Sequence, residues 1–405
     1  MDTLSTALMD IWRQVANISP EAMNACAAWA ALVLSMVVFV KGRKHSILSK
    51  TIAKRQLQAE IDVQLHNAWI LMGGDLHFDS ILKFASRADL NKAKREFIDH
   101  ALTLDPDYAK SHRMLGIYYL GINDIVKAEE ELERSIELNP KDTRAYNNLG
   151  NLFSLKVTRF EDAKNAYCKA IKIDAQFADA YNNLGTLLSN VPSKADKSEE
   201  AYQSAIRIEP KNATFWNNLG VLLSKYSDNS DKYKEAEEAL RTAIDIDPED
   251  CLPWRNLGDL LSKDPMRVAD AESAYLKAIK LNPNDSSAHV NYGALLTKVP
   301  ERESDAEETL RKAIKIDERN AIAYGNRGIL LSRFPSRAIE AEQDLRKAIE
   351  LDPRDAENHN NLGIFLSKDP NRVAEAEDEL NKALEIDPEN KDSAIMLRNI
   401  IGTGS

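Results

Sequence analysis

Apolar and polar positions alternate along most of this chain with the period of a helix. In the segment that begins at Thr143, the residues Tyr146, Leu149, Gly150 and Phe153 follow at steps of three, one and three. At about 100° per residue they share one face, and Asn148 falls on the opposite arc. A second segment carries Ala163 and Ala170, two turns apart on one stripe, before a polar break. The pattern predicts pairs of short helices, and it recurs. The block YNNLG at 146–150 returns at 181–185, then as WNNLG at 216–220, WRNLG at 254–258, HVNYG at 289–293, YGNRG at 324–328 and HNNLG at 359–363. A weaker copy, HRMLG, stands at 112–116, and the block glycines lie 34, 35, 35, 38, 35, 35 and 35 residues apart. Each block is followed by a KAI-like segment, an acidic residue and usually Pro, as in KAIKLNP and KAIELDP. A period of this length marks units that bury their apolar faces against their neighbours.

This pattern resembles the tetratricopeptide repeat, a helix–turn–helix unit with an aromatic, Leu-Gly, two spaced alanines and a closing proline. The resemblance covers roughly residues 75–401. With Leu-Gly at positions 7 and 8, clear copies begin at Ala109, Thr143, Ala178, Ala213, Cys251, Ser286, Ala321 and Ala356. A divergent copy precedes them, marked by Ala93, Ala101 and Pro106, and a helix over 57–72 is expected to shield it. The fold expected is all-α, a right-handed superhelix of eight clear helix pairs and one divergent pair around a concave groove. Gly at position 8 and the alanines let two helices approach closely. The closing prolines, such as Pro140, Pro248 and Pro353, stop the second helix because they lack an N–H. The last apolar segment, 390–401, reads as a capping helix.

Departures from the pattern are informative. Pro192, Pro265, Pro300, Pro335 and Pro370 all stand at position 15, where they are expected to end the first helix and stiffen the turn. The copy beginning at Ala213 inserts three more residues around SDNSDKY, 227–233, either a contact point or a tolerated surface insertion.

With positions 4, 7, 8 and 11 packed, positions 2, 5, 6, 9, 12 and 13 fall on the arc facing the groove. Position 6 is Asn in seven consecutive copies: Asn148, Asn183, Asn218, Asn256, Asn291, Asn326 and Asn361. Asn is a mediocre helix former, and its amide can both donate to and accept from the backbone of an extended peptide. The ladder is similar to that of the superhelical repeats of O-linked N-acetylglucosamine transferase, a resemblance that implies a grip on extended polypeptide. Duplication of one residue would give the same ladder. Position 12 is Ser or Thr in the same copies, either extending the polar groove or bonding back to a carbonyl of its own helix. Position 13 is Lys225, Lys263, Lys298, Arg333 and Lys368, a basic strip suited to acidic segments, or cations favoured by a helix C-terminus.

The N-terminus differs. Residues 22–40 lack charge and end in LVLSMVVFV, enough for about 28 Å of helix. Lys41, Arg43, Lys44, Lys50, Lys54 and Arg55 follow, whereas Asp2, Asp10 and Glu21 outnumber Arg13 before it. That order argues against a cleaved leader and predicts one N-terminal transmembrane helix with everything C-terminal to it cytoplasmic. The resulting division is a tail at 1–21, an anchor at 22–40, a basic juxtamembrane segment at 41–56, a leading helix and divergent repeat at 57–108, eight repeats at 109–390 and a cap with its tail at 391–405.

Charge narrows the function. The net charge is −11, and residues 1–56 hold seven Lys and Arg against three Asp and Glu, leaving 46 against 61 for the rest. An acidic body argues against nucleic acid. Cys26, Cys168 and Cys251 are too scattered for a disulfide framework or a metal cluster. His112, His289 and His359 occupy position 4 in place of Tyr or Trp, which makes them packing residues rather than catalytic ones. No nucleophile elbow or phosphate-binding loop is present, so neither an enzyme nor a cofactor is expected. The pattern KxxGN of a chaperone-tail clamp is also missing, since Asn147 stands where its Lys belongs. The function expected is a membrane-anchored scaffold binding extended segments of partner proteins, acidic ones included, with no small-molecule substrate. The anchor also resembles those of mitochondrial outer-membrane import receptors, and a structural assembly platform is the further alternative.

Overall fold

The computed structural model describes residues 56–57, 59–64, 87–226 and 230–403, and every element among them is helical. The chain divides into two compact units, one up to Tyr118 and one from Tyr119. In the first unit, helical residues 56–57 and 59–64 accompany α1 (Arg87–Leu104) and most of α2 (Ala109–Gly121). Ile61, Ile98 and Ala101 are buried there. Tyr108 Oη and Lys110 Nζ donate to Asp62 Oδ1 at 3.2 and 2.6 Å, so the leading segment is held by polar contacts as well. The first helix expected for the divergent copy lies outside the described residues.

The second unit begins with the end of α2 and α3 (Ile125–Leu138). Helix pairs follow: α4 (Thr143–Ser154) with α5 (Phe160–Ile173), α6 (Ala178–Ser189) with α7 (Ala195–Ile208), α8 (Ala213–Ser224) with α9 (Ser230–Ile246) and α10 (Cys251–Leu261) with α11 (Val268–Leu281). Then come α12 (Ser286–Leu296) with α13 (Glu303–Ile316), α14 (Ala321–Leu331) with α15 (Ala338–Leu351), α16 (Ala356–Leu366) with α17 (Val373–Ile386), and the closing α18 (Lys391–Thr403). Each first helix packs along its second, and each second helix packs on the next first helix. One buried cluster therefore runs unbroken from Ala178 to Leu330.

Local chemistry sets the ends of these helices. Asp142 Oδ1 accepts the Arg144 and Ala145 N–H groups, and Asn212, Asp250, Asp285, Asn320 and Asp355 cap later first helices in the same way. Each cap contributes about 1 kcal/mol. A second helix ends where Asp352 N–H meets the Ala348 carbonyl at 2.9 Å, and Pro353 follows at once. Position 8 must be glycine for a steric reason. A Cβ on Gly258 would stand 2.6 Å from Tyr275 Cε1, and one on Gly328 would stand 2.8 Å from Leu345 Cγ.

Two expectations change. The position-15 prolines do not end the first helix, which has closed already: Asp264 N–H bonds to the Leu261 carbonyl at 3.1 Å before Pro265 opens a 3-10 turn over Pro265–Arg267. Pro192, Pro335 and Pro370 open the same turn, and Val157 does so without a proline. α9 has 17 residues against 14 in the other second helices of the pairs, because residues 230–232, the counterparts of the 3-10 turn Pro265–Arg267, are α-helical and join it, and the three inserted residues precede it. Residues 227–229 lie outside the described residues.

The second change concerns the membrane. The expected anchor at 22–40 and the tail before it lie outside the described residues, as does the basic segment up to residue 55. Among the described residues no helix is long and apolar enough to cross a membrane. A span needs about 20 predominantly apolar residues, and the longest helices, α1 and α9, carry charges in every turn, such as Lys92, Glu96 and Asp99 or Lys232, Glu235 and Glu238. The reading as a single-pass membrane protein with cytoplasmic repeats is corrected accordingly. The mitochondrial import-receptor reading, built on that anchor, goes with it.

Candidate functional site

All seven position-6 asparagines are half-buried, in one row along the second unit. Their amides reach across repeat boundaries. Asn183 Nδ2 donates to Asn147 Oδ1 at 3.0 Å and to Asn151 Oδ1 at 3.1 Å. Asn218 donates to Asn182 at 2.9 Å, Asn256 to Asn217 at 2.8 Å and Asn291 to Asp259 Oδ1 at 2.7 Å. The acceptors Asn147, Asn182 and Asn217 stand at position 5 and are buried. In these copies position 5 therefore lines no open face, contrary to its place on the helical wheel. A first helix in a stack is flanked on both sides, which widens its buried arc beyond one stripe.

Farther along, the ladder loses its partners. Among the described residues the side chains of Asn326 and Asn361 make no hydrogen bond. The reason is visible one repeat earlier, where position 5 is Val290 or Gly325 and position 9 is Ala294 or Ile329, none with a side-chain acceptor. A primary amide has two N–H donors and a carbonyl oxygen, so these two asparagines keep their whole capacity. Asn218, Asn256 and Asn291 each have one N–H beyond the bond to a neighbour.

Position 9 is coupled to position 25 of the facing helix. Tyr167 Oη donates to Asn151 Oδ1 at 2.8 Å, Tyr202 to Thr186 Oγ1 at 3.0 Å and Tyr275 to Asp259 Oδ1 at 2.8 Å. Where position 9 is Val221, Ala294, Ile329 or Ile364, position 25 is Leu240, Leu310, Leu345 or Leu380. A buried phenol needs an acceptor, and an apolar neighbour calls for leucine. Burial pushes the Tyr167 hydroxyl up to about 12. It also raises the Asp259 carboxyl, against the bonds from Tyr275 and Asn291 that favour its charged form. The coupling is legible in one sequence, because the two positions change together from copy to copy.

The hydroxyls of position 12 take the second of the two roles open to them. Ser154, Ser189, Ser224, Ser262, Thr297, Ser332 and Ser367 all donate to the carbonyl three residues back, at 2.8 to 2.9 Å. The position-13 cations are exposed, and most contact the end of the preceding first helix. Lys263 Nζ meets the Ser224 carbonyl at 2.6 Å and Arg333 Nη1 the Thr297 carbonyl at 2.8 Å. Lys225 and Lys368 reach Ser189 and Ser332 only at 3.4 Å. The dipole such a cation serves is thus that of the preceding repeat's helix.

Two further networks escaped the sequence reading. The position-4 rings donate to the closing proline's carbonyl of the preceding repeat: Trp216 Nε1 to Pro210 at 2.9 Å and Trp254 Nε1 to Pro248 at 3.2 Å. His289 and His359 place Nε2 3.1 Å from Pro283 and Pro353, so a histidine here substitutes for the indole N–H as well as its bulk. On another face, position-17 cations pair with a carboxylate thirty residues earlier and another three residues later. Arg267 holds Glu237 at 2.7 Å and Asp270 at 2.8 Å, and Arg372 holds Glu342 and Glu375 at 2.7 and 2.8 Å. The guanidinium of Arg372 keeps the Glu342 carboxyl well down, at about 2.

Models of the tetratricopeptide-repeat family match residues 143–177 and 201–238. No curated protein matches the chain. Among solved structures, the tetratricopeptide protein YrrB, which has an unusual peptide-binding site, is 26% identical over 48% of this chain and 96% of its own, with a TM-score of 0.36. PilF of Pseudomonas aeruginosa is 25% identical over 57% of this chain and 100% of its own, with a TM-score of 0.46. With two stretches recognised by the family's own models and the same cap, glycine and closing proline recurring through the array, this chain carries tetratricopeptide repeats.

Proposed function

We propose that the protein is an interaction scaffold that grips extended peptide segments of partner proteins along the asparagine ladder, in the concave groove expected of the array. The observation that carries the reading is the spare hydrogen-bonding capacity of half-buried amides whose neighbours already fix them. Asn218, Asn256 and Asn291 are oriented by bonds to the preceding repeat, so little further ordering is needed when a peptide arrives. Seven rungs at about 0.5–1.5 kcal/mol each would give a modest receptor before ordering costs. The exposed cations Lys225, Lys263, Lys298, Arg333 and Lys368 favour acidic segments.

Asn326 and Asn361 provide the test, because they hold no neighbouring repeat together. A random peptide display library is panned on the full chain and on the Asn326→Ala/Asn361→Ala variant, with circular dichroism to confirm folding. Selection by the wild-type chain that the folded variant loses supports the reading. Equal selection by both shows that the ladder does not grip peptides.

A further inference from the structure

Between α6 and α8 lies a cavity of about 190 Å³, several times the roughly 30 Å³ share of one liquid water. Val221 and Leu222 supply its apolar wall. Its hydroxyls are already committed, since Tyr202 donates to Thr186 Oγ1 at 3.0 Å and Ser189 to the Thr186 carbonyl at 2.8 Å. Two donors are not. Asn218 spends one amide hydrogen on Asn182. Lys225 Nζ stands 3.4 Å from the Ser189 carbonyl, at the outer limit of a hydrogen bond, whereas Lys263 on the next rung holds its carbonyl at 2.6 Å. Among the described residues no carboxylate pairs with Lys225. Lys164, Lys232 and Lys382, by contrast, hold acidic partners.

We propose that this cavity anchors one glutamate side chain of the segment bound along the ladder. The inference rests on the peptide-gripping reading and adds a side-chain preference at a fixed rung. Two methylenes cover Val221 and Leu222, and the carboxylate accepts from Lys225 Nζ and from the second amide hydrogen of Asn218. Glutamate fits better than aspartate, because one methylene leaves part of the apolar wall uncovered.

A random dodecapeptide display library is panned on the full chain and on Lys225→Gln. The expected outcome is a glutamate at one fixed position of the peptides selected by the wild-type chain, and its loss with the variant. A synthetic peptide of the selected sequence should bind Lys225→Gln roughly tenfold more weakly or worse, as the loss of a charge-assisted bond implies. Its Glu→Gln version should bind both proteins alike. Peptides selected without a fixed acidic position, or a Glu→Gln cost that is the same in both proteins, would overturn the anchor and leave the ladder reading standing. If no peptide is selected by the wild-type chain, the ladder reading fails and the anchor with it.

Discussion

Asn256 donates an amide hydrogen to Asn217 Oδ1 at 2.8 Å across 39 residues of sequence, where the corresponding pair Asn218 and Asn182 is separated by 36. The difference is the three-residue insertion between α8 and α9, which leaves the rung intact. The ion-pair face behaves alike: Lys232 reaches Glu199 over 33 residues, and Arg267 reaches Glu237 over 30. Two independent rows of contacts thus fix the stacking of consecutive repeats whatever the length of the turn between.

Asn217→Ala should therefore destabilise the array although Asn217 touches no expected ligand. The substitution removes the acceptor of Asn256 at a site 8% exposed, at a cost of about 1 kcal/mol. Asn326→Ala, which breaks no inter-repeat bond, should stay within about 0.5 kcal/mol of the parent. Urea denaturation of the three proteins measures both, and equal losses would show that the rung does not hold the stack.

Glycine positions separate in the same way. Gly258→Ala drives a Cβ to 2.6 Å from the Tyr275 ring, a side chain that is 2% exposed and has nowhere to move. Overpacking of this kind costs about 1–3 kcal/mol. Gly121, where an added Cβ would meet nothing within 4 Å, should gain up to about 1 kcal/mol on substitution by Ala through reduced chain entropy. Thermal unfolding should shift in opposite directions for the two variants.

How much of this was legible beforehand depends on whether a residue's partner lies in its own repeat. The helix pairs, the closing prolines and the capping helix follow from local spacing, and Gly150 and Ala163 announce a close approach without naming what approaches. Position 5 misled, because the helical wheel knows one packed face and Asn147 is buried by a second, 7% exposed. The Ser189 hydroxyl was undecided between two roles until its carbonyl partner was located. Arg267 and Glu237 carried a readable signal, a cation and a carboxylate recurring one repeat apart, but it emerges only when copies are aligned by position.

The ion-pair face makes stability sensitive to acid. Arg372 grips both oxygens of Glu342 at 2.7 and 2.8 Å and lowers its carboxyl from the ordinary 4.5 to about 2. A carboxyl that titrates lower when folded contributes stability fully above about pH 4.5 and loses it as pH falls towards about 2. Because Glu342 is a quarter exposed, the contribution is about 1 kcal/mol rather than the full value of the shift. Arg372→Met should abolish this part of the acid dependence, and high salt should weaken it in the parent. A denaturation midpoint followed from pH 7 to pH 2 with the same slope in both proteins would rule the pair out as its source.

Asp259 presents the opposite sign. Burial raises its carboxyl above the ordinary 3.8, so the folded chain favours the proton there. The associated stability is complete below the ordinary value and is lost as pH rises through the raised one. At neutral pH the charge is a net cost, partly offset by the bonds from Tyr275 Oη at 2.8 Å and Asn291 Nδ2 at 2.7 Å, both to Oδ1. Asparagine would keep that oxygen and remove the charge, and the repeat beginning at Thr143 already uses the arrangement: Asn151 Oδ1 accepts Tyr167 Oη at 2.8 Å and Asn183 Nδ2 at 3.1 Å. Asp259→Asn should therefore raise the neutral-pH stability by on the order of 1 kcal/mol. The gain should shrink as pH falls, because the parent's carboxyl then becomes neutral on its own. Asp259→Leu, which strands the Tyr275 hydroxyl and the Asn291 amide, should be destabilising at every pH. Unfolding of the three proteins at pH 7 and pH 4 decides the matter: an asparagine variant less stable than the parent at pH 7 would mean that the ionised carboxylate is held favourably and that burial is the smaller effect.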